Sequence, residues 1–334
     1  MSKKETGLHI LEIELTNKCN LNCAHCYVDR SLSKEMPKEK VCELIDDAAD
    51  AEVTRLVFTG GEPLLSSNLF DYAQYARKKG IKSLFLLTNG LLINETNIEK
   101  LHLFDEIQIS LDELPSTQPS IRKDYLKKLE KTFSLLRENN VFFLFFVTLN
   151  KKNYMDIEKF ISYAKAQGAN IAFNCLIPMH PELNNLTLSH KELYSSLTQL
   201  IEKQKLNSHV LCNHHFRFLI DREKRSDLLS LPKNRIVGGC LAGIAAAYVC
   251  VNGDVYGCPF LKVSAGNVFE KKFFDIWENS SIFNSIRNRW GYTGACGKCQ
   301  FVNMCGGCRA VSYIKNGSIT GSDINCIKGI SNVD

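Results

Sequence analysis

The chain has 334 residues, 45% of them apolar and 23% charged, enough to bury one large core and a smaller one. Its 41 basic and 36 acidic side chains leave a formal charge of +5, too weak a field to argue for nucleic acid. No apolar run approaches the ~18 residues that span a bilayer, and the opening residues carry no apolar signal segment; no membrane is expected, and a reducing cytoplasm is the expected compartment.

In chain order, residues 8–15 read as a strand, 38–51 as an amphipathic helix and 55–58 as a strand. A helix over 69–79 stops at Gly80. A strand over 81–87, a short helix near 94–101 and a strand over 106–111 follow, then a long helix over 120–139. Strands over 141–149 and 170–177 flank a helix over 154–167, and a helix over 190–205 closes the series. Six such β/α units predict a parallel sheet with right-handed crossovers, with functional residues at the C-terminal ends of the strands. The pattern breaks near Ser208, and a basic stretch over 217–235 reads as a bridge. Residues 248–256 alternate around Asn252-Gly253, a hairpin signal, and 273–287 reads as one or two helices.

Fourteen cysteines need a reason. Disulfides are disfavoured in a reducing compartment, which leaves buried thiols, zinc or iron–sulfur clusters. Cys42, Cys175 and Cys212 stand alone and read as buried thiols. Cys19, Cys23 and Cys26 fall within eight residues directly after the first strand. Structural zinc sites close with four ligands, and no fourth cysteine or carboxylate is adjacent. A cubane bound by three cysteines leaves one iron free for a small molecule. Zinc and unmetallated thiols stay open as alternatives on spacing alone.

This Cys-x3-Cys-x2-Cys spacing resembles the signature of the radical S-adenosylmethionine (SAM) superfamily. The resemblance implies that SAM chelates the open iron of a 4Fe–4S cluster, and that its reductive cleavage yields a 5′-deoxyadenosyl radical that abstracts a substrate hydrogen. Thr59-Gly60-Gly61-Glu62-Pro63 resembles the family's Gly-Gly-Glu-Pro motif, whose glycines let the backbone approach the SAM amino group. Ser110 and Arg122 match a serine and an arginine that contact SAM, the guanidinium pairing with its carboxylate. By the same resemblance His25 lies near adenine, and Asn150 and Leu176 match further cofactor contacts. One departure is Glu113-Leu114-Pro115, where relatives often have Gly-Pro and a His-Asp pair.

The C-terminal spacing, Cys240 to Gly253 to Cys258, then Cys296, Cys299, Cys305, Cys308 and Cys326, resembles the SPASM extension with two auxiliary clusters. Zinc ribbons also use Cys-x2-Cys pairs. The extension implies Cys296, Cys299, Cys305 and Cys326 on a distal cluster and Cys240, Cys258 and Cys308 on a proximal one; Cys250 is either its fourth ligand or a plain strand residue. Pro259 stands where sulfatase-maturing relatives have a catalytic aspartate. Cys305-Gly-Gly-Cys308-Arg-Ala resembles the subgroup acting on tetrapyrrole side chains and on peptide precursors of redox cofactors.

The expected protein is thus α/β, with a partial (β/α)6 TIM-like barrel over 1–207, a bridge over 208–239 and a cysteine-rich SPASM domain over 240–334. Its implied cofactors are three 4Fe–4S clusters and SAM. The favoured function is oxidative modification of a ribosomally made peptide. Oxidation or decarboxylation of a tetrapyrrole or other small molecule stands second, and a non-catalytic iron–sulfur electron-transfer or sensor protein third. Implied partners are a low-potential electron donor such as flavodoxin or ferredoxin and a separate peptide-recognition protein.

Overall fold

The structure, a computed structural model, describes residues 7–31, 33–114, 123–216, 236 and 238–328. Strand β1 (Ile10–Thr16) shows how the sequence builds two unlike faces. Leu11, Ile13 and Leu15 are fully buried in the hydrophobic core. Glu12 and Glu14 alternate with them and therefore face the other side. Helix α1 (Lys38–Asp50) covers the apolar face with Val41, Leu44, Ile45 and Ala48.

The same device repeats along the chain. β2 (Arg55–Gly60), β3 (Leu84–Thr88), β4 (Glu106–Ser110), β5 (Phe143–Leu149) and β6 (Asn170–Cys175) each pair in parallel with the strand before. Helices α2 (Leu69–Lys78), α3 (Lys123–Glu138), α4 (Ile157–Ala166) and α5 (His190–Leu206) accompany them. A 3-10 turn over Ile98–Leu103 stands where the short helix was expected. Phe58, Phe133, Phe145, Phe160 and Phe173 are wholly enclosed in the core, each contributing about 1.5–3 kcal/mol. That layer holds the barrel, so the other face of the sheet is free to carry polar chemistry.

Two additions extend the expected six strands. β7 (Val210–Cys212) pairs in parallel with β6 and lies inside the stretch expected as a bridge; residues 217–235 of that stretch are outside the described residues. β8 (Ala246–Val249) pairs in parallel with β1, and β9 (Val255–Tyr256) returns antiparallel to it. One nine-stranded sheet results, in the order β7-β6-β5-β4-β3-β2-β1-β8-β9. The hairpin of the cysteine-rich segment thus continues the barrel wall. Lys40 Nζ, on α1, donates to the Val268 carbonyl at 2.7 Å and ties the helical layer to the same segment. Among the described residues no helix is long and apolar enough to cross a membrane.

Because β1 to β7 run in parallel, their C-terminal ends share one edge. Thr16, Gly60, Thr88, Ser110, Leu149 and Cys175 end their strands there, and the polar loops that follow face a common space.

Candidate active site

The first cysteine loop leaves β1 at Thr16 and is clamped at its base. Thr16 Oγ1 donates to Lys34 O at 2.8 Å, Lys34 N–H to Asn17 Oδ1 at 2.7 Å, and Asn17 Nδ2 to Asp29 O at 2.9 Å. Between these ties lie Cys19, Cys23 and Cys26, each partly exposed. Leu21 N–H donates to Cys19 Sγ at 3.4 Å, and Cys26 N–H to Cys23 O at 3.2 Å. Burial pushes the Cys19 thiol up, and the neighbouring Glu62 and Cys26 add to that. A cationic metal core would reverse this, so three thiols on one loop fit a cluster with an open iron.

Gly60 and Gly61 bring the next loop hard against this one. A Cβ on Gly60 would sit 2.3 Å from Thr16 O, and one on Gly61 2.4 Å from Lys18 O. The missing Cβ atoms thus let the two loops approach each other closely. Glu62 is fully buried. It accepts from Leu64 N–H at 3.1 Å, Thr88 Oγ1 at 2.7 Å and Asn89 N–H at 2.8 Å. Burial pushes its carboxyl up to about 7 against those three donors. Glu62 therefore braces the end of β3. The residue it positions, Asn89, donates to Asn20 Oδ1 at 2.7 Å and reaches Cys19 Sγ at 3.9 Å.

Other expected contacts fall at the same edge. His25 Nε2 lies 3.1 Å from Asp112 Oδ2, and Asp112 Oδ1 accepts Thr148 N–H at 2.9 Å, so His25 is held against the ends of β4 and β5. Ser110 ends β4 with its side exposed, and its carbonyl accepts Tyr125 Oη at 3.2 Å. Asn150 is folded into its own turn, accepting Lys152 N–H at 2.9 Å and donating to Thr148 O at 3.0 Å. Leu176 follows β6, nearly buried. Arg122 lies outside the described residues.

A polar cluster that spacing did not reveal lies beside the loop. Tyr27, next to Cys26, is 3.1 Å from Thr59 Oγ1 through its hydroxyl and packs on Phe260 and Tyr248 with ring centroids 5.2 and 6.1 Å apart. Tyr248 Oη donates to the buried Glu14 carboxylate. The Lys262 ammonium stands 5.9, 5.8 and 5.3 Å from the ring centroids of Tyr27, Tyr248 and Tyr256. The only sequence signal for this grouping was the inward register of Glu12 and Glu14 on β1.

In the C-terminal segment, Cys296, Cys299, Cys305 and Cys326 line one cavity of about 220 Å³, together with Phe216 and Asp323. Among the described residues no three His, Cys, Asp or Glu side chains close on a single-ion site; these four thiols border a shared space. Burial pushes Cys305 up to about 12, with Asp323, Cys326 and Cys296 adding to it. Cys240, Cys258 and Cys308 form a second group: burial and then Cys240 raise Cys258 to about 12, and burial, Asp323, Cys240 and Cys258 raise Cys308. Asp323 sits between the two groups. Its Oδ2 accepts Cys308 N–H at 2.7 Å and lies 3.2 Å from His215 Nε2, while its own N–H donates to Cys296 Sγ at 3.3 Å.

Cys250 is buried in the hairpin. It opens the turn of the β8–β9 hairpin, with its N–H on Asp254 O and its thiol 2.5 Å from Asn252 Oδ1. Cys258 lies on the returning limb, four residues beyond Asp254. Cys250 thus shares the hairpin with Cys258, and both readings of it, fourth proximal ligand or plain strand residue, stay open. Cys42, Cys175 and Cys212 pack with the hydrophobic core, as expected of solitary thiols.

Residues 13–164 match the family model described as the radical SAM superfamily, and residues 240–300 the iron–sulfur cluster-binding SPASM domain. The chain belongs to the radical SAM superfamily. It is a radical SAM enzyme with a C-terminal SPASM domain, and its cofactors are the SAM-binding 4Fe–4S cluster, SAM and auxiliary clusters. Among radical SAM relatives it is 29% identical to the AdoMet-dependent heme synthase of Methanosarcina barkeri, covering 94% of this chain and 95% of that one. It is 28% identical to the mycofactocin maturase MftC of Mycobacterium tuberculosis, covering 95% and 82%. Its fold is that of Streptococcus suis SuiB bound to the precursor peptide SuiA, with TM-score 0.76 at 19% identity over 96% of this chain and 76% of SuiB.

Proposed function

We propose that this radical SAM enzyme oxidises a carboxylate-bearing side chain of a tetrapyrrole. When bound, the first cluster and SAM supply a hydrogen-abstracting radical at the strand edge. Cys19, Cys23 and Cys26 would hold that cluster; Gly60 and Gly61 fix the loop, and Glu62 positions Asn89 against it. The observation that carries the reading is Lys262. Its ammonium stands among three tyrosine rings beside the loop, near enough to the Glu14 and Asp29 carboxylates to feel their charge, and has no hydrogen-bond acceptor among the described residues, so a substrate carboxylate could take its free N–H donors. The near full-length match to a heme synthase supports the same reading and reverses the order of the two enzymatic readings expected from sequence.

Peptide maturation is the second reading, favoured by the likeness to a mycofactocin maturase. In either case the auxiliary clusters would accept the electron left on the substrate, and a flavodoxin or ferredoxin would reduce the first cluster. The test is anaerobic turnover of reconstituted protein with SAM, dithionite and coproporphyrin III, with or without iron. Carbon dioxide and a lighter porphyrin, formed in step with 5′-deoxyadenosine and lost in Lys262→Met, are expected. Porphyrin unchanged while a short peptide encoded beside the gene is modified would overturn the tetrapyrrole reading.

A further inference from the structure

Arg289 and Arg309 are 2% and 1% exposed. Neither has a carboxylate within ion-pair distance among the described residues. Arg289 donates only to backbone carbonyls, those of Val302, Asn303, Gly238 and Cys240, at 2.7–3.2 Å. Arg309 donates to Ile319 O at 3.1 Å and Gly321 O at 2.8 Å, reaches Cys296 Sγ at 3.7 Å and lies 4.5 Å over the Tyr292 ring. The Nε of each is buried without a partner. A fully buried cation is strongly destabilising unless an anion compensates it, and carbonyl dipoles are a partial answer. The nearest buried carboxylate of this region, Asp323, is already engaged by Cys308 N–H and His215.

The cysteine loop is shaped around these two side chains. Gly306 and Gly307 both have left-handed backbone, φ +68° and +63°. A Cβ on Gly306 would sit 2.8 Å from the Arg289 guanidinium, and one on Gly307 2.5 Å from Arg309 Nη2. Both guanidiniums therefore lie directly behind the run from Cys305 to Cys308. Arg289 holds the carbonyl of Cys240, from the second thiol group, while Arg309 touches the thiol of Cys296, from the first. A cubane held by cysteine thiolates is anionic, and its potential responds to net charge and to hydrogen bonds on the sulfurs.

We propose that Arg289 and Arg309 are the buried counter-charges of the two auxiliary clusters and hold their reduction potentials up. The proposal rests on the reading that the two C-terminal cysteine groups are the cluster ligands. Removing a positive charge makes the addition of an electron harder, so potentials fall. A merely structural arginine, tying loops through carbonyls, would alter stability and leave potentials alone.

The experiment is a redox titration of the reconstituted full chain followed by electron paramagnetic resonance, with iron counted in each sample. Arg309→Gln should lower one auxiliary potential by about 59 mV or more, tenfold in the one-electron equilibrium, while the first cluster stays unchanged. Arg289→Gln should do the same, and Arg309→Lys should restore most of the shift. Unchanged auxiliary potentials with full iron in both glutamine variants would overturn the proposal. If Arg309→Gln loses its cluster, Arg309→Lys decides: iron restored supports the charge role, and iron still lost refutes it. Wild-type protein that takes up no auxiliary iron would refute the ligand reading, and this proposal with it.

Discussion

A methyl group on Gly61 would stand 2.4 Å from the Lys18 carbonyl, closer than any relaxed contact. Gly61→Ala should therefore push the cysteine loop off its seat while leaving the barrel folded. SAM cleavage should fall at least tenfold, about 1.4 kcal/mol in barrier terms, with an unchanged circular dichroism spectrum; full cleavage would show that the close approach is dispensable. At this scale the sequence was most legible. The residue types of the Gly-Gly-Glu-Pro motif and the cysteine spacings mark the site, because chemistry that needs thiols or a missing Cβ leaves few substitutes. What was not legible is which partner a residue meets. Glu62 carries a ligand-like carboxylate in the sequence, and nothing there marks Leu64, Thr88 and Asn89 as the donors it meets. Lys262 and Arg289 carry no motif, and Arg309 stands in Cys305-Gly-Gly-Cys308-Arg-Ala with no role marked; only their burial or their cage of rings distinguishes them from surface cations.

Among the elements, α1 shows how composition sets pH response. Asp46, Asp47 and Asp50 crowd its C-terminal end, where the helix dipole disfavours negative charge and the last turn itself holds no basic residue, although Lys79 pairs with Asp46 at 2.6 Å. Burial first, then Glu43 and Asp50, push the Asp47 carboxyl up to about 6 from 3.8. The folded state thus binds this proton more tightly than the unfolded chain. The stability it contributes is full below about pH 4 and is lost as pH rises through 6. Asp47→Asn should match wild type at pH 4 and exceed it by about 0.5 kcal/mol at pH 7, as urea unfolding would measure; a constant offset at both values would contradict this assignment. The six β/α units were legible because apolar periodicity is local. β7 was missed because three residues carry no periodicity, and the docking of β8 on β1 because strand partners are not encoded locally. That same docking fixed the position of Cys250.

Across the whole molecule, contacts distant in sequence join the two halves: Tyr248 to Glu14, Lys40 to Val268, His215 to Asp323. None has a local signature, so the two-part plan was readable but its joints were not. Three cubanes require about twelve iron atoms per chain. A variant with Cys19, Cys23 and Cys26 all replaced by alanine should keep about two-thirds of them, since the C-terminal thiol groups are built from separate loops. Iron near four atoms in wild type, or stoichiometric zinc, would dismiss the auxiliary clusters.

The most direct test of the central claim uses that same triple variant. Wild type and variant are reconstituted anaerobically, reduced with dithionite and given SAM, and 5′-deoxyadenosine is quantified. Release by wild type and none by the variant, with its auxiliary iron retained, is the result that follows from a first loop that alone leaves an iron open to SAM. Release at the wild-type rate from the variant would contradict it.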